Sequence, residues 1–158
     1  MGKIKVVHYV NQFFAGIGGE EKADYQPELR MGTVAIGDQL QKAMGEDVEI
    51  VATVVCGDSY FNENLDVAKA TVLDMVKSQN PDIFIAGPAF NAGRYGVACG
   101  TIIDAVQEEL HIPVLTGMYK ENPGADMYKN KVYIVPTKDS AAGARDAIKK
   151  MAPLAVKL

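Results

Sequence analysis

Apolar residues gather along the chain in five short runs: Ile4–Val10, Val48–Val55, Asp82–Ala86, Pro113–Thr116 and Lys131–Val135. Several are nearly continuous in Val, Ile, Leu and Phe rather than alternating, the pattern of strands buried on both faces of a parallel sheet. Between the runs the period lengthens to that of a helix. Asn64–Gln79 places Leu65, Ala68, Val72, Met75 and Val76 on one face, with Asn62 or Asn64 as cap and Pro81 as terminator. Arg94–Leu110 turns Ala98, Ile102, Ala105, Val106 and Leu110 inward. Ser140–Val156 carries Ala144, Ala147, Ile148 and Met151 at helical spacing until Pro153, and Thr33–Met44 is a shorter, weaker helix.

Strands that alternate with helices make βαβ units with right-handed crossovers. The pattern predicts a single α/β domain over residues 1–158, a flavodoxin-like doubly wound fold. Its five parallel strands are expected in the order 2-1-3-4-5, with helices on both faces. In such sheets ligands lie beyond the carboxyl ends of the strands, at the switch point between the first and third. The unusual loops all fall at that end: Asn11–Asp24, Cys56–Asn62, Gly87–Gly96 and Gly117–Gly124. The opposite connections, 44–47, 79–81 and 111–112, are short and plain.

Composition narrows the partners. The 158 residues are 48% hydrophobic and 23% charged, enough for one ordinary core. A net charge of −4 with scattered Lys residues argues against a nucleic-acid surface. No apolar stretch approaches the ~20 residues that cross a bilayer. The chain opens directly on a strand pattern, so a secretory signal is not expected and the cytoplasm is the expected location. Cys56 and Cys99 are too few and too far apart for a disulfide framework and read as buried, inert thiols. His8 sits inside the first strand and reads as a core histidine; His111 belongs to the far end of the sheet. No spacing of these residues makes a metal site.

The chemistry concentrates in two facing loops. Asn11–Asp24 combines Gly16, Gly18 and Gly19 with Phe13, Phe14 and the carboxylates of Glu20, Glu21 and Asp24. Gly87–Gly96 feeds a helix N-terminus, where free backbone N–H groups near Asn91 and Gly93 suit an anion. Arg94 adds a planar fork matched to a carboxylate. It serves either as a ligand group or as the structural partner of Glu20, Glu21 or Asp24. Asn11 and Tyr95 complete the candidate site. Tyr60, Phe61, Tyr95, Tyr119 and Tyr128 are expected as an aromatic rim, the last two on a docking or lid element. There is no Gly-x-Gly-x-x-Gly after the first strand and no Gly-Lys-Ser/Thr, so a nucleotide cofactor has little support.

Three stretches carry a resemblance. They are Val10–Asp24, Thr53–Asn64 and Ala86–Gly96, supported by Thr116-Gly117-Met118-Tyr119 and Ser140-Ala141-Ala142-Gly143. They resemble the selenoprotein subunit of component B of the glycine, sarcosine and betaine reductases, along essentially the whole chain. The resemblance implies a substrate-activating subunit of amino-acid-fermenting anaerobes. In that family a partner subunit carries a pyruvoyl group that engages amine substrates. A selenocysteine attacks the α-carbon and releases ammonia or a methylamine. The carboxymethyl group passes to the selenoprotein component A, and component C yields acetyl phosphate.

One departure matters. The family's selenocysteine lies in a cysteine-containing motif downstream of a region like this one, and residues 1–158 hold no such motif. The expectation is therefore an N-terminal domain that is inactive alone. It would bind a small amino-acid substrate and the pyruvoyl-containing subunit, and a homo-oligomer is possible. Cys56 does not stand in for the selenocysteine. The alternatives are a non-catalytic docking domain and, less well supported, a flavin- or nucleotide-binding domain.

Overall fold

The computed structural model describes residues 4–12, 15, 17, 24–34, 36–45, 48–90, 93–118, 122, 133–136 and 151. Within these residues the strands are β1 (Ile4–Val10), β2 (Glu28–Met31), β3 (Val48–Val55), β4 (Ile83–Phe90), β5 (Val114–Met118) and β6 (Tyr133–Pro136). The helices are α1 (Ile36–Met44), α2 (Asp58–Glu63), α3 (Leu65–Gln79) and α4 (Gly93–Leu110).

Alternation along β1 shows why the chain folds into layers. Val6 and Val10 point to one side of the sheet and Val7 and Tyr9 to the other, and all four are fully buried. The first side packs under Leu40 and Met44 of α1 and under Met151. The second packs under Phe61 of α2, Ala68, Val72 and Val76 of α3, and Ala98, Ile102 and Val106 of α4. Each large apolar side chain so buried contributes roughly 1.5–3 kcal/mol. This two-sided burial is what the continuous apolar runs require.

The sheet is mixed and six-stranded, in the order β2-β3-β1-β4-β5-β6, where a five-stranded parallel sheet is expected from the sequence. The extra strand is β2, which runs antiparallel to β3 with Leu29 opposite Val54 and Arg30 opposite Thr53. Glu-Leu-Arg-Met is too short and too charged to register as a strand. An edge strand needs only one apolar face, and Leu29 supplies it by packing on the core. The other pairings are parallel.

Several boundaries move. The loop expected at Cys56–Asn62 holds α2, whose six residues are too few to show a helical period. The loop expected at Gly87–Gly96 nearly vanishes, because β4 runs to Phe90 and α4 starts at Gly93. Asn64 occupies the N-cap of α3 without a side-chain cap bond, and its Nδ2 donates instead to the Tyr60 carbonyl at 3.1 Å. Asn80 ends α3 in the left-handed region just before Pro81. The helix expected over Ser140–Val156 lies outside the described residues except at Met151, which is helical and buried.

A bulge shapes the end of β4. Ala86 pairs with Thr116 but Phe90 with Met118, so β4 uses four steps where β5 uses two. Gly87 makes this turn with φ +88, and a Cβ there would lie 2.8 Å from the Ala89 nitrogen. Gly45 has φ +89 but open space around it. Gly45→Ala is expected to lose about 1 kcal/mol from backbone strain alone. Gly87→Ala should lose roughly 3 kcal/mol, because backbone cannot swing aside from the added methyl. Urea unfolding of the two variants measures the difference, and equal losses would contradict the crowding at Gly87.

Candidate functional site

At the carboxyl end of β1 the chain does not leave the protein at once. Asn11 and Gln12 turn over the sheet end and are only 4% and 3% exposed. The turn is closed by Ala15 N–H on the Asn11 carbonyl and Ile17 N–H on the Gln12 carbonyl, both at 3.0 Å. Their side chains reach the start of α2. Asn11 Nδ2 donates to Asp58 Oδ2 at 3.0 Å, and the Asp58 N–H donates to Gln12 Oε1 at 3.2 Å. The Cys56 N–H on the Val10 carbonyl, 3.2 Å, joins the same two segments one step lower. The ends of β1 and β3 are thus fastened by side chains that a parallel ladder alone would not engage.

Asp58 is the charge at the centre of this layer and is 7% exposed. Around it lie Tyr9, Cys56, Tyr95 and Cys99, all fully buried. Burial raises the pKa of each above its ordinary value, and the Asp58 carboxylate adds to the rise. The Cys56 thiol is pushed up to about 12. Both thiols are therefore protonated at neutral pH and unsuited to nucleophilic attack. The Tyr9 ring meets Phe61 edge-on at 6.2 Å and Tyr95 at 6.4 Å between centroids, which fixes the aromatic walls. Thr116 Oγ1 and Cys99 Sγ both face the Cα of Gly87, at 3.3 and 3.6 Å from where its Cβ would be. Asn122 lies so close on Gly96 of α4 that a Cβ there would be 2.0 Å from its Oδ1. Its buried side chain anchors the chain beyond β5 on the start of α4.

His8 supports the layer from the other face of the sheet. Its Nε2 lies 2.7 Å from the Gly87 carbonyl, so that nitrogen carries the proton and donates. The ring is fully buried, and burial lowers its pKa to about 4. Its Nδ1 faces Gly37 of α1, where a Cβ would approach to 3.2 Å.

Of the residues expected to form a site, the structure brings Asn11 and Tyr95 together: both are buried, and the Asn11 backbone lies near enough to the Tyr95 hydroxyl to offset a little of the rise that burial gives its pKa. Gly93 and Arg94 open α4 beside them, described at the level of the backbone. Asn91, Glu20 and Glu21 lie outside the described residues, as do Tyr119 and Tyr128. Phe61 and Tyr95 form core walls, not the rim expected of them, because helix α2 folds Phe61 inward and α4 does the same to Tyr95; Tyr60 is half-buried. Sequence reasoning passed over Gln12, Asp58, Thr116 and Asn122. Asp58 left only a faint signal, an acid three residues past the end of a buried strand. Asn122 left none, since only tertiary packing on Gly96 gives it meaning.

Among the described residues no group of three or more His, Cys, Asp and Glu side chains is placed to hold a metal ion. None of the described helices is long and apolar enough to cross a membrane.

Residues 3–158 match the family model of glycine/sarcosine/betaine reductase selenoprotein B. The chain belongs to this family. It is 64% identical over 157 residues to the glycine reductase complex component B subunit gamma of Peptoclostridium litorale, covering 99% of this chain and 36% of that protein. It is 57% identical over 157 residues to the sarcosine reductase complex component B subunit beta of Peptoclostridium acidaminophilum, with the same coverage. It is 41% identical over 154 residues to the betaine reductase complex component B subunit beta of the same organism, covering 98% of this chain and 35% of that protein. The chain thus spans about a third of the length of these relatives. No solved structure matches it.

His8 makes the stability of the chain depend on pH with a definite sign. The native ring stays neutral down to about pH 4, whereas an unfolded histidine takes up its proton near pH 6.5. The unfolded state therefore binds more protons between these values, and the contribution is complete above pH 6.5 and lost as pH falls toward 4. From about pH 7 to about pH 5 the loss is expected to be about 2 kcal/mol. His8→Gln keeps a donor for Gly87 but does not titrate. Urea unfolding across this range should show the steeper pH dependence in the parent chain, and parallel curves would contradict a neutral buried His8.

Proposed function

We propose that this chain forms the substrate-binding and scaffold part of component B of a glycine, sarcosine or betaine reductase. Such an enzyme reductively cleaves the C–N bond of glycine or of an N-methylated glycine. The observation that carries the reading is the family match over residues 3–158, with relatives named for all three substrates. Those substrates differ in methylation at nitrogen and share one group, the α-carboxylate. A domain common to the three branches is suited to hold that shared group.

Arg94, with backbone N–H groups near Asn91 and Gly93, is the proposed carboxylate site. It opens an 18-residue helix, whose N-terminus favours negative charge. Glu20 and Glu21 are proposed to face the nitrogen end or to orient Arg94. Asn11 and Tyr95 form the floor beneath, where burial, with the Asp58 carboxylate adding to it, keeps the surrounding hydroxyls and thiols protonated. That floor offers hydrogen bonds and shape but no nucleophile. A selenocysteine would supply the attacking atom, and neither Cys56 nor Cys99 fits its place, since both are buried and protonated. The selenocysteine is proposed to lie outside residues 1–158. The proposed partners are the pyruvoyl-containing subunit of component B and component A, in the cytoplasm.

Loss of a charge-assisted carboxylate contact is worth about 1.5–3 kcal/mol, or roughly tenfold to a hundredfold in affinity. In assembled component B, Arg94→Ala should raise KM for its amino-acid substrate by that factor while Arg94→Lys recovers part of it. An unchanged KM in both variants would overturn the assignment.

A further inference from the structure

Among the described residues β2 is the outermost strand, paired on one side only. The phase of its free side follows from one bond. The Gly32 N–H donates inward to the Val51 carbonyl at 2.8 Å. Backbone groups alternate along a strand, so Glu28 and Arg30 share that inward phase while Leu29 and Met31 present N–H and C=O to the open edge. The side chains alternate as well. Leu29 and Met31 lie opposite Val54 and Ala52 on the side covered by α2, α3 and α4, and Met31 is 69% exposed where that cover ends. Glu28 and Arg30 lie on the other side, joined by an ion pair of 2.7 Å whose side chains remain 40% and 36% exposed.

We propose that the occupant of this edge is a second copy of β2, antiparallel about a two-fold axis through Leu29. Leu29 of each copy then exchanges N–H and C=O with the other, as its outward phase requires. The same register sets Glu28 of one copy opposite Arg30 of its partner, twice, by symmetry. Directly opposed unlike charges stabilise a pair of strands, and like charges destabilise it. A two-fold through Arg30 sets two arginines against each other and one through Glu28 two glutamates, and both are disfavoured on that ground; one through Met31 sets Arg30 opposite Gly32 and forgoes the charge pairs. On the opposite side Met31 and Leu29 of both copies form one apolar row, which covers the exposed Met31. Pro27 lacks an N–H and ends the ladder, so the pairing is short and self-limiting. The inference concerns the surface of the domain and stands apart from the substrate reading.

Sedimentation equilibrium of the 158-residue chain should show a reversible monomer–dimer equilibrium at micromolar to sub-millimolar concentration. Glu28→Arg and Arg30→Glu should each weaken self-association about tenfold or more, because each sets like charges in opposition. Mixing the two variants should restore the dimer, since each then meets its opposite across the axis. The internal ion pair stays broken in both chains, so rescue on mixing reports the contact between copies; circular dichroism confirms that both variants are folded. A parent chain that stays monomeric at several hundred micromolar overturns the proposal. So does a dimer that neither reversal weakens, or two reversals that fail to associate on mixing.

Discussion

The carboxyl end of the sheet depends on one hydrogen bond between a buried side chain and a backbone that only glycine tolerates well. His8 Nε2 holds the Gly87 carbonyl at 2.7 Å, and Gly87 takes a positive φ of 88° to present it. The bond ties β1 to β4 one residue past Ala86, the last residue of β4 that pairs with β1. A neutral imidazole suits this place: it donates strongly without bringing a charge into a dry interior. On the other face of the sheet the same glycine leaves room for Thr116 and Cys99.

Above that lock, a single carboxylate organises the layer. Asp58 is held by Asn11 and Gln12 from the chain after β1, and its charge adds to burial in keeping two tyrosines and two thiols protonated. A layer of this kind is buried and unreactive. It is suited to fix the position of groups above it, not to attack a substrate. That division agrees with the proposal that a selenocysteine outside residues 1–158 supplies the reacting atom.

Much of this arrangement is legible in the sequence, for identifiable reasons. The apolar runs that become β1, β3, β4 and β5 are buried on both faces, so their composition alone marks them. The helices α3 and α4 have 15 and 18 residues, long enough to show their period. Two elements escape because they are short: β2 with four residues and α2 with six. The loop after the third strand is misread because Gly87 and Pro88 look like a turn, whereas a bulge lets the strand absorb them. Tyr95 and Phe61 look like a rim in one dimension and prove to be core in three. Asp58 is the costliest omission. Nothing in a sequence distinguishes a solvated acid from one clamped by an asparagine and a glutamine 47 and 46 positions away.

We propose that the strand-end layer forms the floor of the carboxylate site. A crystal structure of component B containing this chain, with its amino-acid substrate bound, tests it most directly. The account predicts the substrate over the carboxyl ends of β1 and β4, with its carboxylate at the start of α4 beside Arg94 and with Asn11 and Tyr95 beneath. A substrate seated away from these strand ends, with no contact to Arg94 or the start of α4, would contradict it.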